Sequence, residues 1–327
     1  MTERTYKMKK IALLFIIFVS IFTLTNQSLD AGENKDSKPL PVVNFGTLPV
    51  LQALPLFVAV EKDFFKEQGL SVNLVRFNSA MEKDVALSAG QISGYFGDMM
   101  TPMVLNANKT PAKMIATIFN TPKTQRMFAI IASPKHTNKS ISEISREGIA
   151  VSSNTILDYL MTKLLKSKSN QTESIKQIEI KSIPIRLQML LSGQVPAAML
   201  PEPLVTLAEQ KGCKVLIDDA GANASATVLV FNERFLTDYP DVVKKFLAAV
   251  EKASQYTNRH RDEVRSIMNR ECRVPDPLQK TFPIPEFRKL TTPDYNQVMD
   301  VYQWLRGKKI IKTEMTFKQM VGDGYLP

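Results

Sequence analysis

The chain has 327 residues, 44% hydrophobic and 23% charged, enough to bury two cores, while its 2 cysteines are too few to build a disulfide scaffold. Its formal net charge is +10, yet the basic residues are scattered and no nucleic-acid-binding motif accompanies them. That excludes nucleic acid as the expected partner and leaves small anions or a membrane surface.

At the N-terminus Arg4, Lys7, Lys9 and Lys10 precede an apolar run from Ile11 to Leu24, followed by polar residues and Ala31. A positive head, a short apolar middle and a small closing residue describe a secretory signal peptide. The run is short of the about 20 apolar residues a membrane span needs. Residues 1–31 are therefore expected to be a cleavable export signal, with an uncleaved anchor as the alternative, and the mature protein is expected in the periplasm. Cys213 and Cys272 lie far from the cleavage point, so a lipoprotein is not expected. They fall in separate parts of the chain and are expected to be independent thiols.

Residues 32–40 are polar and expected to be flexible. From Val42 short apolar strands alternate with amphipathic helices. Strands are expected at 42–47, 71–77, 92–96, 114–118, 128–133, 148–152, 177–182, 197–200, 213–217 and 227–231. Helices are expected at 55–68, 81–89, 99–107, 155–166, 185–191, 203–210, 240–256 and 295–306. The alternation predicts an α/β protein with parallel sheets covered by helices on both faces. Gly69, Gly90, Gly193 and Gly212 stand where helices stop.

The chain also echoes itself. Leu87-Ser-Ala-Gly-Gln-Ile-Ser-Gly-Tyr-Phe is followed by Gly97, Asp98 and Met99. Leu190-Leu-Ser-Gly-Gln-Val-Pro-Ala-Ala-Met is followed by Leu200, Pro201 and Glu202. Each reads helix, glycine stop, short buried strand, acidic residue, next helix. The echo predicts two lobes on one plan: residues 41–125 plus 228–327, and residues 126–227, with crossings near 124–127 and 224–227. Ligands of open α/β sheets bind beyond the carboxyl ends of the strands, so the two lobes are expected to enclose a cleft.

Four elements carry a family resemblance. Pro55-Leu-Phe-Val-Ala-Val-Glu-Lys-Asp-Phe-Phe-Lys-Glu-Gln-Gly-Leu-Ser-Val-Asn-Leu74 is a helix ending in an aromatic pair, then Glu-x-Gly-Leu and a strand. Leu87–Gly97, Ile149-Ala-Val-Ser-Ser-Asn-Thr155 and Leu190–Pro203 follow in order. Together they resemble the nitrate, sulfonate, taurine and thiamine-precursor binding proteins of the NMT1/SsuA-like ABC importer family. The resemblance implies a periplasmic-binding-protein-like fold of type II, with two α/β lobes, a hinge and a ligand cleft. It implies a monomer that closes on a small solute and delivers it to a permease with its ATPase, without catalysis and with no cofactor or metal. Sulfonate, nitrate, taurine-like and pyrimidine-like solutes are the ligand candidates.

Candidate contacts follow from position at the strand ends. Ser152, Ser153, Asn154 and Thr155 open a helix, where free N–H groups suit an anion, although Ser or Asn caps helices anyway. Asp98, Met99 and Thr101 form the matching turn, with Asp98 as contact or cap. Leu51 and Gln52 follow the first strand. Arg186 offers a fork for an anion or an interlobe ion pair, and Glu202 either binds an amine or caps the next helix. Asn120, Thr121 and Asp218 are rim positions. Two alternatives stay open. One is an enzyme on the same fold, similar to a thiamine-pyrimidine synthase that uses pyridoxal phosphate and histidine. The other is a ligand-sensing subunit for a membrane receptor. Against the enzyme, the only histidines are His136 and His260, away from the expected strand ends, and no Ser-His-Asp set or zinc-ligand spacing is legible.

Overall fold

The computed structural model describes residues 42–169 and 175–327. The expected export signal over 1–31 and the polar segment 32–40 lie outside the described residues. Ten strands form: β1 (Val43–Thr47), β2 (Val72–Arg76), β3 (Gly94–Asp98), β4 (Ala112–Phe119), β5 (Phe128–Ala132), β6 (Ile149–Val151), β7 (Gln177–Glu179), β8 (Ala197–Pro201), β9 (Lys214–Asp218) and β10 (Thr227–Asn232). The helices are α1 (Leu54–Glu61), α2 (Phe64–Glu67), α3 (Ala80–Ser88), α4 (Met100–Ala107), α5 (Ile141–Glu147), α6 (Ile156–Ser169), α7 (Ile183–Leu191), α8 (Leu204–Gln210), α9 (Glu233–Asp238), α10 (Pro240–Arg259), α11 (Arg261–Glu271), α12 (Tyr295–Gly307) and α13 (Phe317–Met320). No described helix is long and apolar enough to cross a membrane.

The strands build two five-stranded sheets, ordered β2-β1-β3-β10-β4 and β7-β6-β8-β5-β9. The orders correspond position by position, with β3 and β8 central. The echoed segments are α3–β3 and α7–β8, and their stop glycines share one left-handed conformation, φ 70° at Gly90 and 71° at Gly193. The central strands are buried on both faces and read as continuous apolar runs, as in β5, Phe-Ala-Ile-Ile-Ala.

The sheets are not wholly parallel, which corrects the sequence expectation. β5 runs antiparallel to β8 and β9, and β10 antiparallel to β3 and β4. The reason is connectivity. The chain leaves β4 at its carboxyl end and enters the other sheet from that same side, so β5 must run back against its neighbours. β10 repeats this on the return.

The expected helix over 55–68 is two helices, broken where Asp63 takes φ 58°. Helix α5 was not expected, although Ser140 and Glu143 form a capping box that marks its start. On α10, Val243, Phe246, Leu247 and Val250 recur at helical spacing and are fully buried. Phe246 meets Phe45, Phe65 and Phe231 at centroid distances of 4.6, 4.9 and 5.4 Å, which anchors the tail on the first sheet. Helix α12 does more than cover that sheet. Its Asp300 accepts a hydrogen bond from Tyr159 Oη on α6 at 2.6 Å and pairs with Lys163 at 2.5 Å. Trp304 meets the Tyr159 ring edge-on at 5.7 Å.

Candidate ligand-binding site

The parallel strands β1, β3 and β4 end at Thr47, Asp98 and Phe119; β6, β8 and β9 end at Val151, Pro201 and Asp218. The chain passes between the sheets over 120–127 and 219–226, leaving and entering each sheet at those same ends. Ligands of open α/β sheets sit on this side.

The two crossings are tied by one carboxylate, Asp219, which is fully buried. Its Oδ1 accepts the backbone N–H of Met127 and Phe128, both at 2.8 Å. Its Oδ2 lies 2.8 Å from Thr121 Oγ1 and 2.7 Å from Ser225 Oγ. Thr121, an expected rim contact, is thus buried and committed to this node. Asp218, its neighbour, accepts the Ala220 N–H at 3.0 Å.

In the second sheet the chain answers most of its own polar groups. The Ser153 N–H donates to Glu179 at 2.9 Å, and the Ser153 hydroxyl donates to the same carboxylate. That hydroxyl is the main cause holding the Glu179 carboxyl below its usual range. The Asn154 N–H donates to the buried Asp158 at 3.0 Å, and Thr155 Oγ1 donates to the Ser152 carbonyl at 2.7 Å. The helix start offered to an anion is occupied by internal carboxylates. Glu202 Oε1 accepts from Arg126 Nε at 2.7 Å, and Oε2 accepts the Thr206 N–H at 3.0 Å. Glu202 therefore caps α8 and braces the first crossing. Arg186 is fully buried rather than displayed as a fork. Its guanidinium donates to the Met199 carbonyl at 2.9 Å and the Ile180 carbonyl at 2.6 Å. Burial lowers its pKa to about 10, so it stays charged at neutral pH.

The first sheet is less settled. Leu51 is buried in the core, and Gln52 beside it is also buried, on the turn between β1 and α1. Asp98 Oδ1 caps α4 by accepting the N–H of Met100 and Thr101 at 2.8 and 2.9 Å. Met99 is buried and Thr101 half-buried. Asn120 donates to Asn223 Oδ1 at 2.7 Å and borders a cavity of about 260 Å³ lined also by Thr117, Pro122, Arg288 and Gln297.

Two residues of this sheet escaped sequence reasoning. Lys83 on α3 is 1% exposed, with Nζ 2.7 Å from Asp84 Oδ1 and 3.4 Å from the centre of the Tyr95 ring. Burial lowers its pKa, opposed by Asp84. Tyr95 is fully buried, and its hydroxyl has no hydrogen-bond partner among the described residues. A signal existed: Lys83 stands seven residues before Gly90 as Arg186 stands seven before Gly193.

Among the described residues no group of three metal-ligating side chains converges. A hydroxyl–imidazole–carboxylate chain not visible in the sequence does form: Ser133 Oγ lies 2.7 Å from His136 Nδ1, and His136 Nε2 lies 3.7 Å from Glu147. It follows the carboxyl end of β5, which runs antiparallel to its neighbours and so ends away from the crossings, and Ser133 is fully buried there. His260 stacks on Tyr256 at 4.0 Å, at the end of α10.

The sequence pattern of the NMT1/THI5-like family matches residues 51–264. No curated protein sequence matches the chain. Among solved structures, the fold is similar to the periplasmic aliphatic sulphonate binding protein SsuA from Escherichia coli, with a TM-score of 0.76 and 13% identity over 87% of this chain and 93% of that one. It is similar to the alkanesulfonate-binding protein SsuA from Xanthomonas axonopodis pv. citri bound to MOPS, with a TM-score of 0.70 and 15% identity over 85% and 96%. The desulfurization enzyme DSZB also shares it, with a TM-score of 0.63 and 14% identity over 88% and 97%. The two sheets thus form a periplasmic-binding-protein fold.

Proposed function

Because this chain belongs to the NMT1/THI5-like family, we propose that it is the extracytoplasmic solute-binding component of an ABC importer. It captures a small organic or anionic solute between two lobes and delivers it to a permease and its ATPase, as a monomer exported through the signal over residues 1–31. One observation carries this reading: two sheets of one plan bring their strand ends to crossings that share a single buried carboxylate, Asp219. Two short crossings side by side are the kind of loop segment at which a hinge bends. Gln52, Met99, Thr101 and Ser152 are the proposed solute contacts, while Thr121, Arg186 and Glu202 hold the frame.

The test is mass spectrometry of solute released from the purified mature protein, then a thermal-shift panel of alkanesulfonates, taurine, nitrate and pyrimidines. A ligand at 100 times its Kd stabilises the folded state by about 2.7 kcal/mol. No released solute and no shift across the panel overturns the reading. The likeness to DSZB supports a second reading, an enzyme on this fold. Turnover of a sulfonate by the purified protein would favour it.

A further inference from the structure

The inference rests on the solute-binding reading and concerns what the cleft recognises. On the face of the first sheet toward α3, Gly46 of β1 and Gly97 of β3 present no side chain, and Lys83 lies in the slot they leave. A Cβ at Gly46 would sit 3.3 Å from Lys83 Cγ, and one at Gly97 would sit 3.7 Å from Nζ. The Tyr95 ring leans toward the carboxyl end of β3, its edge 3.2 Å from where a Gly97 Cβ would be. Two donors, an ammonium and a phenol, are thereby gathered behind the last residues of the central strand, next to Asp98 and the start of α4.

Their hydrogen-bonding capacity is not used up. The ammonium has three N–H groups, and Asp84 Oδ1 is its hydrogen-bond acceptor here. The phenol is buried with no partner among the described residues, an arrangement that disfavours folding unless another group completes it. Asp98 Oδ1 is held by two N–H groups of the helix start, and its charge, like that of Asp84, supports the protonated amine. The repeat supplies the control. Arg186, in the same position of the second sheet, directs all three of its nitrogens to two carbonyls. Ala198 stands where β3 has Tyr95, so the unpartnered phenol beside a buried cation is particular to the first sheet.

We propose that Lys83 Nζ and Tyr95 Oη form the head-group subsite of the cleft, donating to the oxygens of an anionic solute that reaches them past Gly97. The ligand class is a small organic acid, sulfonate or carboxylate, with its anionic end at β3 and the remainder toward the second sheet.

Calorimetry with C2–C8 alkanesulfonates, the matching carboxylates and the matching amines tests this on the full-length mature protein and on Lys83→Met and Tyr95→Phe. The expected result is binding of an acid but not its amine, weakened at least tenfold by Lys83→Met and severalfold by Tyr95→Phe. Tyr95→Phe keeps the ring, so it remains informative should Lys83→Met fail to fold. Acid binding unchanged in Tyr95→Phe and in folded Lys83→Met would overturn the subsite and leave the binding-protein reading standing. Preference for the amine would do the same. A wild-type protein that binds no compound and releases no solute would remove the reading and the subsite together.

Discussion

The two sheets place a long cation at the same step of the same motif and treat it oppositely. In the second, Arg186 clasps the carbonyls of Ile180 and Met199 and becomes part of the frame. In the first, Lys83 meets one carboxylate and the face of the Tyr95 ring, whose hydroxyl has no hydrogen-bond partner among the described residues. A guanidinium has five donors in a fixed fork and can bridge separate backbone acceptors, whereas an ammonium is a point charge on a flexible stem. One fold plan can thus be stiff on one side of a cleft and receptive on the other, through the choice of one side chain.

Replacing Arg186 by Met should produce the largest effect, because it strands the buried carbonyl of Met199 and the half-buried one of Ile180. A loss of about 4 kcal/mol is expected in urea unfolding. A loss below about 1 kcal/mol would erase the contrast with Lys83. Asp219→Ala should follow at about 3 kcal/mol, since four donors lose their acceptor. Hydrogen exchange should accelerate at the Met127 and Phe128 amides, the first to be freed. Asp300→Asn, at the contact between α12 and α6, should cost about 1 kcal/mol, because Lys163 and Asp300 are both partly exposed to solvent.

Lys83→Met should be the mildest, within about 1 kcal/mol of wild type at pH 7, because burial already disfavours the charged amine and its partner Asp84, 30% exposed, can be solvated once left alone. Its pH dependence sharpens the comparison. Burial sets the folded pKa of Lys83 below its ordinary 10.5. The unfolded chain then holds that proton more tightly, so the charged amine costs stability below the lowered pKa. Stability contributed by this site rises as pH climbs from there toward 10.5. The difference between wild type and Lys83→Met, followed by unfolding from pH 7 to 10.5, should shift in favour of wild type as pH rises.

Strand positions were largely legible because each strand is a short apolar run between turn residues, and the echo around Gly90 and Gly193 marked the shared plan. Direction was not legible for β5 and β10, since an apolar run carries no sign of which end enters the sheet. At the candidate site, sequence position found strand ends but not what their side chains touch. Asp218 and Asp219 look alike on paper, yet Asp218 caps one turn and Asp219 joins both crossings. Ser153 and Asn154 looked free because Glu179 and Asp158, which engage them, are distant or on the next turn. Lys83 was not singled out, as nothing in its sequence neighbours shows that Gly46 and Gly97 leave it a slot.

The chain's single tryptophan lies where α12 meets α6, its indole edge-on to Tyr159 and its Nε1 without a hydrogen-bond partner among the described residues. Emission from one fluorophore at that contact is an intrinsic optical gauge: separation of α6 from α12 would wet the indole and shift its spectrum to the red. The proposed opening and closing would then be tested in a stopped-flow instrument on the unlabelled protein, an unchanged spectrum on solute addition counting against it.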